Sequence, residues 1–227
     1  MNELLMLCVL VIGILSLYFA NKLLNTFGIK IVFITFNLLS LILSFKYLTL
    51  SSFHMNASVL TQCIIFTCIC ILIEKDLLKE NNKVINTSLI INILASLLLY
   101  IMSNYTQSIN DTVGINITNV FYYNSRILIT YPIANYLSLK ITTYLYLKVK
   151  KIYDSIFISM VSTYLASGLI NFIIVTFGSY YKILKIQDII KLLLSSYMIE
   201  LIIMVIYSII ITLLKSKKVK KWLTYIY

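Results

Sequence analysis

The stretch Phe121-Tyr-Tyr-Asn-Ser-Arg-Ile-Leu-Ile-Thr-Tyr-Pro-Ile-Ala-Asn135 places the single arginine of the chain, Arg126, inside an apolar run. Every other cationic residue is a lysine. A charged side chain at membrane depth is costly and marks a functional site by default. Six residues later comes Pro132, the single proline, which removes a backbone donor and is expected to bend or break a helix. We therefore expect a polar, bent helix at the centre of the fold.

Further polar residues follow along the same predicted helix. They are Asn135, Ser138, Lys140, Thr142 and Thr143, and the segment then ends in the lysines Lys148, Lys150 and Lys151. A helix that only anchored the chain in a membrane would not need these groups. Lys140 either lines a route past Arg126 or extends its amine to the membrane surface.

Composition assigns the chain to the integral membrane proteins. Of 227 residues, 60% are hydrophobic and 12% charged, and the mean hydropathy is +0.94, whereas soluble domains carry about a quarter charged residues. At about 20 apolar residues per crossing, the length predicts one integral membrane domain over residues 1–227. The lack of alternating ten-residue segments argues against a barrel. The predicted fold class is an all-α, polytopic helical membrane bundle of six to seven transmembrane helices.

Apolar length and punctuation predict seven helices. They cover 3–21, 28–46, 57–73, 86–103, 119–147, 154–178 and 187–214. The stretch 47–57 is open to three interpretations: a loop, an extension of the second helix, or a re-entrant turn.

The lysines predict the orientation. The net charge is +11, and much of the excess lies in the tail 215–227, which directly follows a helix and so indicates a cytoplasmic, lipid-facing end rather than nucleic-acid binding. The loops 74–85 and 148–153 carry lysines and fall on the same side, as do Lys22 and Lys30, whereas 104–118 has no Lys or Arg. We expect a multi-pass protein of the bacterial plasma membrane with the N-terminus outside and the C-terminus inside. Lys182 and Lys185 are the exception.

Neither the cysteines nor any glycine-rich loop implies a cofactor. Cys8, Cys63, Cys68 and Cys70 all lie in apolar runs, where cysteine behaves as a small hydrophobic residue. No metal-ligand spacing and no phosphate-binding loop is present, so the sequence contains no ATPase.

Helix 154–178 carries Ser159, Thr163, Ser167 and Asn171 at spacings of four, which puts them on one face. The hydroxyl residues are typical of close helix packing. Asn171 has a full amide to satisfy, and both packing and ligand contact stay open for it. The single amides Asn37, Gln62 and Asn92 are more typical of interhelical bonding.

Glu200 lies near the middle of the last predicted helix. A carboxylate there is protonated, pairs with a cation, or faces water. Its natural partner is Arg126, either as a structural ion pair or through a water or substrate, and both interpretations predict that Arg126→Ala is damaging.

An enzymatic alternative uses His54, the single histidine, and Cys63 nine residues later. Nucleophilic catalysis requires the base and the thiol within hydrogen-bond reach. His54 lies in a loop-like segment and Cys63 in an apolar helix, without a carboxylate nearby to orient them. An intramembrane Cys/His hydrolase is therefore the weaker hypothesis.

Several segments of the second half resemble one transporter family. They are Asn124-Ser-Arg-Ile with Ala134 and Tyr136, Tyr144-Leu-Tyr-Leu-Lys-Val-Lys-Lys, Ser162-Thr-Tyr-Leu-Ala-Ser-Gly-Leu-Ile-Asn-Phe with Phe177-Gly178, and Leu194-Ser-Ser-Tyr. In order and spacing they resemble the queuosine precursor transporters, also called the vitamin-uptake-like family, over about 120–215. The resemblance implies a compact helical membrane protein that imports deazaguanine precursors into bacteria. Arg126 is retained, and Cys70, Thr142, Asn171 and Glu200 depart from the charges usual in that family.

These observations predict a transporter with a substrate site between the last three helices. Arg126, Asn135 and Asn171 would supply hydrogen bonds, Glu200 would be the acidic partner, and Tyr131 or Tyr197 would stack on a planar heterocycle unless they only pack the bundle. We expect no catalytic activity. The partners are a small-molecule substrate, the lipid bilayer, and either a second copy of the chain or ATPase subunits. The alternative is the substrate-binding membrane subunit of an ATP-driven vitamin importer.

Overall fold

The computed structural model describes residues 2–50, 53–75, 77–104, 120–121 and 124–215. In this part of the chain there are six helices and two short strands. In chain order they are α1 (Asn2–Leu43), β1 (Tyr47–Leu50), β2 (Phe53–Asn56), α2 (Val59–Glu74), α3 (Leu78–Met102), α4 (Ser125–Ile152), α5 (Ile156–Tyr180) and α6 (Ile186–Lys215). The lysine-rich tail after 215 and the predicted outer loop, apart from Asn104, lie outside the described residues.

Helix α1 is two helical segments joined by a sharp bend at Asn25. The backbone there has φ 52° and ψ −129°, a conformation that only glycine adopts without strain. The bend brings Gly28 so close to Ala20 that a side-chain carbon at Gly28 would collide with the Ala20 carbonyl oxygen. Eight residues of straight helix would span about 12 Å. The two segments correspond to the helices predicted at 3–21 and 28–46.

The ambiguous stretch 47–57 contains an antiparallel pair of strands, β1 and β2, here called the hairpin, which none of the three sequence interpretations anticipated. Tyr47 pairs with Asn56 and Leu50 with Phe53. The Asn56 side chain donates to the Ser44 carbonyl oxygen at 2.8 Å and fixes the hairpin to the end of α1. The backbone polar groups of an otherwise irregular segment are thereby paired with each other.

Within the described ranges, four helices are long and apolar enough to cross a membrane, namely Met6–Leu43, Leu78–Met102, Ile156–Tyr180 and Ile186–Leu214. This supports the predicted all-α, multi-pass membrane protein. Helix α2 is shorter, with 16 residues, and α4 is too polar to meet the same criterion. Whether α2 and α4 also cross, which the expected six to seven spans require, stays a prediction.

Helix α4 runs through Pro132 without a break, so the proline does not interrupt it as one sequence interpretation expected. A proline inside a membrane helix is tolerated where neighbouring helices surround the freed carbonyl group. Pro132 is buried between the helices that pack against α4. The helix begins at Ser125 rather than at 119, the predicted start.

The bundle has two chemically distinct ends. We call the end with β1, β2 and the first residues of α4 and α6 the hairpin end. The opposite end, the lysine end, holds the α1 bend and the ion pairs Lys30–Glu80 at 2.6 Å and Lys150–Glu74 at 3.4 Å. There Lys75 donates to the side-chain oxygens of Asn21 and Asn25, at 2.6 and 2.8 Å. The candidate site described below lies near the hairpin end.

Candidate functional site

A small polar cavity lies inside the bundle near the hairpin end, and we call it the chamber. Its volume is about 20 Å³, room for one water molecule. Four helices and the hairpin contribute its walls. The polar lining residues are Tyr47, Asn56, Ser58, Gln62, Tyr131, Asn171, Thr176, Tyr180 and Ser196, and the apolar ones are Val59, Phe172, Val175 and Leu192.

Two tyrosines separate the chamber from a much larger open cavity at the hairpin end. The rings of Tyr47 and Tyr180 meet edge to face, with their centroids 5.7 Å apart. Both residues line the chamber, and both also line a cavity of about 860 Å³ that includes His54, Asp188 and Lys191. Together with Leu192, which also lines both cavities, the Tyr47–Tyr180 pair forms the wall that they share.

The same pair is neutral as well as bulky. Burial, and after it the neighbouring Tyr180, raises the pKa of the Tyr47 hydroxyl far above its ordinary value. The Tyr47 hydroxyl therefore keeps its proton at physiological pH. The Tyr180 hydroxyl lies beside that of Tyr47 but makes no hydrogen bond of normal geometry among the described residues, so it can bond to a molecule in the chamber.

A network of buried amides holds four helical segments together beside the chamber. Gln62 donates to the Asn135 side-chain oxygen at 3.1 Å, and Asn135 donates to the Asn37 side-chain oxygen at 3.1 Å. The Asn92 amide donates to the same Asn37 oxygen at 2.5 Å. Tyr131 donates to the Gln62 side-chain oxygen at 3.1 Å. We call Asn37, Gln62, Asn92, Tyr131 and Asn135 the amide network.

Two of the predicted site residues, Asn135 and Tyr131, belong to the amide network. Both are buried, with 1% of each exposed, and both make hydrogen bonds within the protein. Asn135 does not line the chamber, whereas Tyr131 does. Asn135 therefore joins helices through hydrogen bonds, the role expected for Asn37, Gln62 and Asn92.

Asn171 differs from the network amides because it has a free acceptor. It is buried, it lines the chamber, and its side-chain oxygen has no hydrogen-bond partner in the described part of the chain. A buried polar atom without a partner costs about 1–3 kcal/mol. Such an atom facing a polar cavity is suited to accept a hydrogen bond from a bound molecule.

Glu200 is the most unusual side chain of the bundle. It is fully buried, and within the described residues neither carboxyl oxygen has a hydrogen-bond partner. It lies one helical turn from the chamber residue Ser196, on the same face of α6. The side chains that face it are Cys63, Tyr131, Tyr164 and Tyr197.

The expected pair between Arg126 and Glu200 is not present. Arg126 is exposed and donates from Nη1 to the Tyr181 carbonyl oxygen at 2.9 Å. Because α4 begins at Ser125, Arg126 lies in its first turn at the hairpin end. Glu200 lies 14 residues beyond the start of α6, about 20 Å along the helix axis. The side chain of Arg126 instead borders an apolar cavity of about 610 Å³ between α3 and α4.

Tyr197 does not face the chamber either. Its hydroxyl donates to the Leu165 carbonyl oxygen at 2.7 Å, and its ring meets Phe172 edge to face at 6.3 Å. This residue therefore joins α6 to α5, the packing role that the sequence left open. We call Ser159, Thr163, Ser167 and Asn171 the polar ladder of α5. Within it, the Ser167 hydroxyl donates to the Thr163 carbonyl oxygen at 2.9 Å.

The two residues of the hydrolase hypothesis are in different environments. His54 is exposed, its ring lies 3.3 Å from the Thr49 hydroxyl, and it lines the open cavity. Cys63 is fully buried in α2, where its thiol contacts the Glu200 carbonyl oxygen at 3.6 Å. No hydrogen bond between the two occurs in the part of the chain that the structure describes, so the geometry does not support a catalytic pair.

Sequence reasoning missed the chamber residues Tyr47, Thr176, Tyr180 and Ser196. Thr176 and Tyr180 follow Phe172, the neighbour of Asn171, at spacings of four. An extension of the polar ladder by fours leads instead to Val175 and Ser179, so the ladder alone does not find them. The contribution of Tyr47 depends on the hairpin, which no apolar periodicity announces.

An occluded chamber lined by polar side chains, a tyrosine wall and an unpartnered amide thus lie together near the hairpin end. Comparison of the chain with protein-family models, with curated proteins and with solved structures found no match.

Proposed function

We propose that the protein is a membrane transporter that takes up a small, planar, polar solute through the chamber. The observation that carries the proposal is the unpartnered, buried oxygen of Asn171 in a polar cavity inside an apolar bundle. A pure scaffold would gain stability by replacing this amide with an apolar side chain. A site that accepts an N–H group from a solute requires it.

The groups that line the chamber indicate which kind of solute it would bind. Asn171 offers an acceptor, and the Tyr180 hydroxyl is a donor as well as an acceptor. Heterocycles with amide and amino edges match both groups, and the rings of Tyr131 and Phe172 offer apolar faces beside them. A 7-deazaguanine precursor of queuosine, or a related nucleobase or vitamin, has this combination, in agreement with the resemblance of residues 120–215 to that family.

In the present conformation the chamber has room for only about one water molecule, so the solute enters only after the wall moves. The Tyr47–Tyr180 pair, with Leu192, divides the chamber from the open cavity. Its displacement would join about 20 Å³ of polar space to about 860 Å³ at the hairpin end. We propose that this end faces the outside, because the opposite end carries Lys75, Lys150 and neighbouring lysines.

The proposal is tested by uptake into liposomes that contain the purified protein alone. Labelled 7-deazaguanine precursors, guanine, adenine and a panel of vitamins would be offered separately. We expect uptake of at least one planar heterocycle, and loss of that uptake in Asn171→Leu. The matched control is Ser167→Ala, one turn away on the same face of α5. Absence of uptake for every compound would remove the transporter proposal.

The same experiment separates the transporter from the subunit of an ATP-driven importer. Uptake by the protein alone excludes a need for ATPase subunits. Binding without uptake, together with an ATPase that co-purifies with the tagged chain, would favour the importer subunit. In a host that lacks queuosine synthesis, restoration of the tRNA modification by an added deazaguanine precursor would identify the substrate class.

A further inference from the structure

Glu200 carries the strongest unexplained feature outside the chamber. It is one of four glutamates in the chain. Two of the others, Glu74 and Glu80, form ion pairs with lysines at the lysine end. Among the described residues no lysine or arginine lies within ion-pair distance of Glu200. An ionised carboxylate buried without a cation costs far more than a neutral acid.

The surroundings of Glu200 are neutral on every side that packs against α6. Cys63 faces it from α2, Tyr164 from α5 and Tyr131 from α4, while Tyr197 lies on its own helix. From the hairpin, His54 lines the open cavity instead. The charge of this site can therefore be balanced only by a species that enters from outside the packed side chains.

Partnerless hydroxyl groups continue from Glu200 toward the lysine end. The Tyr164 hydroxyl lies beside the carboxyl group but makes no hydrogen bond of normal geometry. Thr163 and Ser159, which follow on α5 toward the lysine end, are buried and also without partners for their side-chain oxygens. On the other side, Ser196 connects the position of Glu200 to the chamber by one helical turn. A carboxyl group between a solute chamber and a row of free hydroxyls is placed where a coupling proton would bind.

We propose that Glu200 is a proton-binding residue that couples uptake of the solute to movement of H⁺. One proton adds to the carboxylate and forms a neutral carboxylic acid, and its release to the lysine end restores the carboxylate. No other bond forms or breaks. The coupling role rests on the proposed transporter function, whereas reversible proton binding by Glu200 is a property of this site alone.

Proton binding is measured by infrared spectroscopy of the purified full-length protein labelled with carboxyl-¹³C glutamate. We expect a carbonyl band of a protonated acid that disappears as the pH is raised. The band should be absent in Glu200→Gln and retained in Asp188→Asn, a matched variant of an exposed acid on the same helix. A carboxylate that stays ionised at every pH where the protein is folded would overturn the proposal. An acid that never releases its proton would overturn it equally.

Coupling is measured in liposomes with an imposed pH gradient. Glu200→Gln mimics the protonated acid, so we expect gradient-driven accumulation to fall about tenfold or more, within the range of linked sites. Exchange of labelled for unlabelled solute, which needs no net proton movement, should persist. If a folded Glu200→Gln variant loses both gradient-driven accumulation and exchange, the coupling role is contradicted. Proton binding by Glu200 is then decided independently by the infrared titration of the wild type. If the wild type transports but ignores the gradient, the coupling proposal fails and the transporter proposal stands.

Discussion

The amide network and the Glu200 environment are both buried and polar, yet they satisfy their hydrogen bonds differently. In the network, Gln62 donates to Asn135 and accepts from Tyr131, while Asn37 accepts from both Asn135 and Asn92. Around Glu200, the carboxyl oxygens and the Tyr164 hydroxyl have no partners among the described residues, and neither does the Asn171 oxygen nearer the chamber.

This difference separates buried polar groups that hold helices together from those that are candidates for binding a ligand or a proton. For paired amides, the interhelical hydrogen bonds offset the free-energy cost of burying the polar groups. Unpaired groups cost stability and are kept where a ligand or a proton supplies the missing partner. The network has two unpartnered atoms of its own, on Asn37 and Asn92, but each of these side chains makes another bond in the network. Substitutions should therefore separate the two regions.

The largest effect is expected from Asn135→Leu. The change leaves the Gln62 amide and the Asn37 oxygen with one partner fewer each, and an unsatisfied buried group costs about 1–3 kcal/mol. We expect the free energy of unfolding in detergent to fall by about 2 kcal/mol. Asn82→Leu, at an exposed asparagine of α3, is the control. Equal stability of Asn135→Leu and wild type would show that the network does not hold the helices together.

Asn171→Leu should have the opposite profile. It removes a buried acceptor that has no partner, so the free energy of unfolding should stay the same or rise. Uptake should fall about tenfold, equivalent to about 1.4 kcal/mol, because the solute loses its acceptor. A variant that unfolds as readily as Asn135→Leu would place Asn171 with the structural amides and remove the distinction.

The tyrosine wall offers a third comparison, between an occluded and an opened chamber. Tyr47→Ala removes the ring that separates the chamber from the open cavity. In a Cys8→Ala background with Thr176→Cys as a chamber probe, a water-soluble thiol reagent should react several-fold faster. Tyr144→Ala, at an exposed tyrosine of α4 outside the chamber, should leave the rate unchanged. Equal rates in both variants would mean that Tyr47 does not control access.

Arg126→Ala is expected to have the smallest effect. The variant loses one hydrogen bond to the Tyr181 carbonyl oxygen from an exposed side chain. Changes at exposed positions are usually within about 0.5 kcal/mol, and uptake should remain close to the wild-type rate. A severe loss of uptake would return this residue to the site and require the chamber to extend to the cavity between α3 and α4.

The helical class and most element positions could be predicted from apolar length, because each membrane helix satisfies its own backbone. The role of Arg126 could not, because it depends on where α4 begins. A start at 119 puts the side chain two turns deep, while the observed start at Ser125 puts it at the end of the bundle. Asn171 was identified by periodicity, and Glu200 by its charge in an apolar run.

The rest of the site depends on contacts between distant segments. Gln62 and Asn135 are 73 residues apart, and Asn56 and Ser196 are 140 apart, so no local pattern indicates these bonds. The hairpin was missed for a related reason. Its strands have four residues each, too few for a period-two pattern to stand out from an apolar background.

Because of the β-hairpin, we expect the two ends of the molecule to open at different rates. Tyr47 lies on a ribbon attached through the Asn56 backbone amide to Ser196 and through the His54 carbonyl oxygen to Ser195. If this ribbon alone swings aside, access from its end takes about the nanoseconds to microseconds typical of loops. At the lysine end, packed helices would have to shift, over about microseconds to milliseconds. In the proposed transporter, release at that end would then limit turnover.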